Sequence, residues 1–335
     1  MISPTLMGHG SPPISVVIVN WNGGRFLLRV LEALQGQSRA PARVVVVDNG
    51  SSDGSDALVA RVFPGVRLRR VGENLGFAAA NNLALREEVE TPWAALLNPD
   101  AVPEPDWIER LWQGVCNHPG CSAYGCRMRR YDDHRCLDGT GDCYHPCGWG
   151  WRRDYGVAEA DGQLQPGEIF APCAAAALYR REDVLAIGGF DEDFFCYFED
   201  VDLGFRLRLA GKRCFYLPAA IVRHVGSATT GRRSDFAVYH GCRNLISCWW
   251  KNMPGAGLWR HLPAHLLFNL LLLVTALPRG QGGVVLRAQR DALGGLPRIL
   301  RRRSRVVRRP DETATAAMTA GWRAPYRAWR KRCRD

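Results

Sequence analysis

Ile14-Ser-Val-Val-Ile-Val-Asn-Trp-Asn-Gly-Gly24 is a β-branched, apolar run that stops at a polar turn. A near-continuous apolar run of this length reads as a strand buried on both faces of a parallel sheet. Asn20-Trp-Asn-Gly-Gly24 reads as the turn that ends it. Leu27, Val30, Leu31 and Leu34 follow at helical spacing. The same unit then recurs. A strand at 44–47 runs into Asp48-Asn-Gly-Ser-Ser-Asp-Gly54, with a helix near 55–63. A strand near 66–71 runs into Gly72-Glu-Asn-Leu-Gly76, with a helix over 77–86. A strand at 93–97 ends in Asn98-Pro-Asp100, and a further helix starts near Pro105. This alternation predicts an α/β fold with a doubly wound, mostly parallel sheet and a site outside the carboxyl ends of the strands. The polar loops after strands one, two and four lie where such a site is built, although Asn, Asp and Gly are also ordinary turn formers.

The turn after the first strand lacks Gly-x-Gly-x-x-Gly, and no Gly-x4-Gly-Lys-[Ser/Thr] occurs, so dinucleotide and P-loop chemistry are disfavoured. With 335 residues, 47% apolar and 23% charged, the chain suits one large globular domain or a domain with an appendage. The net charge of +11 is unevenly placed. Residues 279–335 hold 16 Lys and Arg against 4 Asp and Glu, and the rest is near neutral. The first ten residues show no basic stretch followed by an apolar one, so a cytoplasmic location is expected, with the 12 cysteines as thiols. Cys136, Cys143 and Cys147 with His134 and His145 have poor spacing for structural zinc.

From 121 to 167 the pattern loosens into expected long loops or a short β-excursion. Gly141, Asp142 and Arg152 in that region are candidate acceptor contacts as much as turn residues. Cys173 lies in the small-residue run Phe170-Ala-Pro-Cys-Ala-Ala-Ala-Ala-Leu-Tyr179, which would admit a substrate to the backbone or simply pack tightly. The aromatic run Phe194-Phe-Cys-Tyr-Phe198 precedes three carboxylates, Glu199, Asp200 and Asp202. Leu203, Leu207 and Ala210 then share a helix face, and Gly211 is a C-cap candidate. The acids read either as first-turn residues of a helix, where negative charge is favoured, or as a general base in a partly dry pocket. A strand is expected over 212–217 up to Pro218, with His224 following.

Taken together, Val16-Val-Ile-Val-Asn-Trp-Asn-Gly23, Val47-Asp-Asn-Gly-Ser-Ser-Asp-Gly-Ser55, Asn74-Leu-Gly-Phe-Ala-Ala-Ala-Asn-Asn82, Leu97-Asn-Pro-Asp100 and Tyr197-Phe-Glu-Asp-Val-Asp-Leu203 resemble family 2 glycosyltransferases. These are inverting, metal-dependent enzymes of the GT-A fold, and the closest likeness is to the bacterial rhamnosyltransferase and galactofuranosyltransferase branch. The resemblance covers about residues 14–230. It implies that Asp48 binds the nucleoside base and that Asn20, Asn22, Asn74 and Asn98 line the nucleotide-sugar site. Asp100 fills the last position of the family's Asp-x-Asp metal motif, whose first position here is Asn98, with one charge fewer. It implies His224 as a further ligand of a divalent metal, Mg²⁺ or Mn²⁺, with Asp200 as general base and Glu199 and Asp202 supporting the base or the acceptor. A cation would neutralise charge building on a leaving diphosphate, and Mn²⁺ tolerates an imidazole ligand better than Mg²⁺.

The expected domains are a disordered 1–12, a transferase domain at 13–232 with nucleotide and acceptor halves meeting near 118, a helical membrane-associating extension at 233–310, and a flexible basic tail at 311–335. Residues 262–277 are strongly apolar but number only 16 and include Pro263, His265 and Asn269. A spanning helix needs about 20 residues, so interfacial or re-entrant insertion is expected ahead of a span, with a buried core helix as a further reading. With the basic block Arg301-Arg-Arg-Ser-Arg305 this makes two membrane signals, the number a stable peripheral anchor takes. A nucleic-acid partner is not expected, for want of a recognisable binding fold. The expected activity is transfer of a sugar, with L-rhamnose from dTDP-rhamnose as first choice, from a nucleotide donor to a lipid-linked or cell-surface glycan acceptor at the inner face of the membrane. The alternatives are a UDP-sugar-dependent transferase of the same fold, or a catalytically weak sugar-nucleotide-binding scaffold, suggested by Asn98.

Overall fold

The structure, a computed structural model, describes residues 11–226, 231, 233–309, 316–319, 321 and 326. The expectations of disorder at 1–12 and of a flexible tail at 311–335 fall almost wholly outside these residues. The first half runs β1 (Ile14–Asn20), α1 (Gly24–Gln35), β2 (Arg43–Asp48), α2 (Ser55–Val62), β3 (Arg67–Arg70), α3 (Gly76–Leu83, continued by a π-helical turn, Ala84–Glu88) and β4 (Trp93–Leu97). These strands lie in the order β3-β2-β1-β4, all parallel. Residues of β1 alternate between the two faces, as the pleat requires. Ile14, Val16 and Ile18 pack with Leu27, Val30 and Leu31 of α1, while Val17 and Val19 pack with Ala78 and Ala80 of α3. Helices therefore cover both faces, which is why β1 has no polar side.

The second half runs β5 (Ala101–Pro103), α4 (Trp107–Asn117), β6 (Ala123–Arg130), β7 (Leu137–Gly139), β8 (Asp142–Tyr144), β9 (Gly150–Arg152), β10 (Gly167–Glu168), β11 (Ala176–Arg180), α5 (Arg181–Ala186), α6 (Glu199–Leu209) and β12 (Cys214–His224). The sheet continues as β4-β11-β6-β12-β10, with β11 antiparallel to both neighbours and β12 parallel to β6. Two expectations are corrected here. The region after residue 121 is not mainly loop, since β6 is an eight-residue strand at the centre of this half. Its partners β11 and β12 lie some fifty and ninety positions on in sequence, so its local pattern, broken by Gly125 and three arginines, gave no sign of them. The last strand also does not stop at Pro218. It pauses in a bulge, pairing Leu217 with Cys126 and then Ile221 with Arg127, and continues to His224. Pro lacks the ladder donor, so a bulge is where it is tolerated.

Four helices follow, α7 (Asp235–Asn252), α8 (Gly255–Ala276), α9 (Gly282–Gly294) and α10 (Leu296–Arg303). The apolar segment is longer than its sequence suggested, because α8 carries Pro263 without breaking. Over Gly255–Arg279 it is long and apolar enough, by length and composition, to cross a membrane. One face of α8 is docked: His265 stacks on Trp249 of α7 at 3.9 Å, and Phe268 stacks on Trp149 at 5.5 Å. The opposite face leaves Trp259, Leu266, Leu270 and Val274 exposed. The basic block lies at the end of α10 and is tied to the rest of the chain. Arg302 pairs with Asp191 and with Asp193 (3.0 Å), and Arg303 donates to Trp250 O (3.0 Å).

Candidate active site

The carboxyl ends of β1 and β2 are wired together before any ligand is considered. Asn20 is fully buried, and its amide nitrogen donates to Asp48 Oδ1 (2.9 Å), Ser51 Oγ (3.0 Å) and Ser55 Oγ (2.9 Å). Its side chain therefore shapes the loops from beneath. Asp48 also accepts from Ser51 N (3.2 Å). Asn22, with φ of 53°, accepts from Ser52 N (2.8 Å). The next loop is tied in by Asn49, which donates to Asn74 Oδ1 (2.8 Å). Asn22 and Asp100 line one cavity of about 200 Å³ with Gly23, Gly24, Arg25, Phe26 and Pro99. Asn98 is half-buried at the end of β4, its backbone N–H bonded to Ala175 O (2.9 Å). Ser51, Ser55 and Asn49 were missed in the sequence, where they read as turn composition.

Antiparallel pairing of β5 with β12 sets Ala101 opposite His224 and so brings Asp100 to it. His224 Nε2 lies 3.4 Å from Asp100 Oδ1, and Nδ1 lies 2.7 Å from Asp138 Oδ2. Burial opposes charge on this ring, but Asp138 and Asp100 outweigh it and raise its pKa to about 9. Nε2 is buried without a hydrogen-bond partner. A buried, orphaned imidazole nitrogen facing a carboxylate, with its other nitrogen oriented by a second carboxylate, is a donor set that fits a divalent cation such as Mn²⁺. Cation binding there would displace the ring's proton. Asp138 was also missed. Its Asp-Gly-Thr-Gly context reads as a turn, and only the pairing of β7 with β6 carries it beneath His224.

Asp138 in turn pairs with Arg152, whose guanidinium also reaches Cys173 Sγ (3.2 Å). Gly139 makes room for this arm, since a Cβ there would come within 2.3 Å of the Arg152 side chain. Arg152 faces Asp142 across the β8–β9 hairpin. Polar atoms of Asp142, Cys173 and Asp200 lie within 4.8 Å of one another. Gly141 turns the chain into β8 with φ of 109°, and a Cβ there would come within 2.9 Å of the Ile169 side chain, so it serves the backbone. Asp200 is half-buried at the start of α6 and accepts from Val201 N (2.8 Å) and Ala174 N (3.1 Å). Burial, and then the Asp200 carboxylate, push both Asp142 and Glu199 well above the ordinary carboxyl range. Glu199 Oε2 is buried with no partner.

Asp202 is the expected site residue that the structure removes. It is 0% exposed and faces away from the crevice, bonded to Arg206 (2.8 Å), Lys251 (2.6 Å) and Asn252 (2.7 Å). Burial alone would raise its pKa, but Arg206 and Lys251 hold it below the ordinary value. Its role is to fasten α6 to α7.

The site thus has two ends joined by one polar chain, with Asp100 and His224 at one end and Asp200 at the other. One end can hold a cation and the other can take up a proton. Over residues 12–243 the chain matches the family described as glycosyltransferase-like family 2. It is 31% identical over 265 residues to the N-acetylglucosaminyl-diphospho-decaprenol L-rhamnosyltransferase of Mycobacterium tuberculosis, covering 71% of this chain and 86% of that protein. Among solved structures it resembles GalNAc-T7 with UDP, GalNAc and Mn²⁺, with a TM-score of 0.57 at 14% identity over 72% of this chain and 48% of that one. It also resembles the mannosyltransferase PcManGT from Pyrobaculum calidifontis in complex with GDP-Man and Mn²⁺, with a TM-score of 0.52 at 18% identity over 92% and 87%. At such identities these structures speak for the fold alone, which is of the GT-A type. The match over most of its length, on a sheet of this topology, makes the chain a glycosyltransferase that belongs to family 2.

Proposed function

We propose that the chain moves L-rhamnose from dTDP-L-rhamnose to a hydroxyl of a lipid-linked glycan, with inversion, at the cytoplasmic face of a membrane. The observation that carries this reading is the continuous polar chain from Asp100 and His224 through Asp138 and Arg152 to Cys173 and Asp200. The name of the mycobacterial relative, which assigns that protein L-rhamnose and a diphospho-decaprenol acceptor, supports the choice of sugar and acceptor. In the transfer, the acceptor oxygen attacks the anomeric carbon while the bond from that carbon to the diphosphate breaks. The hydroxyl proton passes to Asp200, and the nucleoside diphosphate leaves. One displacement with one base inverts the centre. Asp48 and Asn22 would hold the nucleotide, and Asp142 and Arg152 would face the acceptor. Asp100 and His224 would hold a divalent cation, which when bound neutralises charge on the departing diphosphate.

The test is turnover across a panel of dTDP-, UDP- and GDP-sugars, with a polyprenyl-diphospho-N-acetylglucosamine acceptor, before and after EDTA. Transfer should be greatest with dTDP-L-rhamnose, vanish in EDTA and return with Mn²⁺ or Mg²⁺. A preference for another donor would overturn the choice of sugar, and transfer undiminished by EDTA would overturn the metal. Donor binding with no transfer from any sugar would point to the scaffold reading suggested by Asn98.

The outer face of α8 supports the membrane part. Trp259, Leu266, Leu270 and Val274 fall on one side of the helix and are exposed, with Arg260 and Arg279 near its two ends. The same helix rests on the tip of the β8–β9 hairpin, so a lipid surface there would lie one short hairpin from Asp142 and Arg152. Each buried leucine contributes roughly 1.5 kcal/mol or more. Leu266→Glu with Leu270→Glu should therefore lower binding to phosphatidylglycerol-containing vesicles at least about tenfold in flotation, with the melting temperature little changed. Unchanged flotation would remove α8 as the contact.

A further inference from the structure

The turn that delivers Asp200 is held in an unfavourable backbone conformation. Phe195, Tyr197 and Phe198 have φ of 63°, 65° and 73°. Left-handed φ is rare for bulky side chains, and such residues persist only where their surroundings over-determine them. What holds them here comes from α7. The buried Asn244 amide donates to three carbonyls of this one turn, Phe194 O (2.8 Å), Cys196 O (2.9 Å) and Tyr197 O (2.7 Å). Its neighbour Arg243 donates to Asp193 O (2.7 Å) and Phe194 O (3.1 Å).

The turn is gripped from the other side as well. Phe195 O accepts from Ala78 N (3.1 Å) at the start of α3. The Phe195 ring lies so close over Gly76 (φ 82°) that a Cβ there would come within 2.5 Å of it. Gly76 N in turn bonds Asn74 Oδ1 (2.9 Å), so the turn rests on the loop after β3. Its far end becomes α6 directly, with Asp202 N bonding Phe198 O (3.0 Å), and Glu199 and Asp200 in between. One strained turn thus spaces the nucleotide half, the candidate base and α7.

We propose that Asn244, seconded by Arg243, is a positioning residue for Asp200. It clamps the 194–198 turn in its left-handed form, and so fixes the separation between Asp200 and the loop holding Asn74. This rests on the reading of Asp200 as base. Without the clamp the turn relaxes toward negative φ and carries the start of α6 with it. A misplacement of about 1 Å costs about 10²-fold in rate.

The experiment compares Asn244→Ala, Asn244→Asp and Arg243→Met with the unaltered chain, using the donor turned over fastest in the panel above. Asn244→Ala should lower kcat per folded molecule about 10²-fold, with the donor KM within about threefold. Asn244→Asp keeps the shape but sets a carboxylate against three carbonyls, and should do no better. Arg243→Met, which leaves Asn244 in place and covers the case in which Asn244 variants do not fold, should lower kcat about tenfold. Amide exchange over residues 194–202 should quicken in each while β1 and β4 stay protected. A merely structural role would lower the melting temperature and leave kcat per folded molecule within threefold; that result, or unchanged exchange at the turn, overturns the proposal. Combining Asn244→Ala with Asp200→Asn separates the two readings. If Asp200 is the base and Asn244 acts through it, adding Asn244→Ala to Asp200→Asn lowers kcat little further. Full activity of Asp200→Asn alone would overturn the base, whereas full activity of Asn244→Ala alone would overturn only the clamp.

Discussion

Asp200→Asn is expected to lower transfer by about 10²–10⁴-fold, the usual worth of a positioned general base, while donor binding measured by calorimetry stays within about twofold. Asn has the same shape and keeps one acceptor oxygen. Of the two backbone N–H groups now bonded to the carboxylate, from Val201 and Ala174, one loses its partner. That costs about 1 kcal/mol, well short of the roughly 3–5 kcal/mol that such a rate loss represents. Activity within tenfold of the unaltered chain would rule Asp200 out as the base.

Lys251→Met is expected to lower unfolding free energy by about 3 kcal/mol, at the lower end of what breaking a buried pair costs. Lys251 Nζ lies 2.5 Å from Asp191 and 2.6 Å from Asp202, with all three side chains buried. Burial lowers the Lys251 pKa to about 8, against the pull of Asp202. The partners keep other cations, Arg302 on Asp191 and Arg206 on Asp202, which is why the lower end applies. The pH dependence has a definite sign. Asp202 is held below its ordinary value, so its contribution is complete above the unfolded carboxyl value of about 3.9 and fades as pH falls through the lower folded one. The gap between variant and unaltered chain in denaturant melts should therefore be present at neutrality and shrink below about pH 4. A gap under about 1 kcal/mol at pH 7 would show that the arginines suffice. Because Arg302 belongs to this knot, cutting the chain after Pro278 would loosen α6 as well as remove α9 and α10.

Much of the first half was legible. Strands buried on both faces leave an apolar signature that needs no partner to be read, and β1, β2 and β4 all carry it. The second half was harder for a physical reason. The arginines of β6 have their charged heads paired, as Arg127 and Arg129 are with Glu159, so the strand looks like loop until its neighbours are known. Asp100, Asp200 and His224 could be singled out one by one, but Asp138, which joins two of the network's parts, could not. Asp202 was misplaced for a similar reason. Asp202 reads like its neighbours because Lys251 and Asn252, which bind it, lie some fifty positions on in sequence.

The bulge in β12 fixes which way His224 looks. Leu217 and Val222 pack into the same core although they are five positions apart. In an unbroken strand an odd separation places side chains on opposite faces. The three residues at 218–220 therefore act as a phase change in the strand. They invert its parity, and the inversion sends the imidazole at 224 toward Asp100. Were a residue lost or gained there and the strand beyond it to slip one place against β6, His224 would turn to the opposite side. The bulge thus serves the site through the register it allows, although none of its three residues is among those named there.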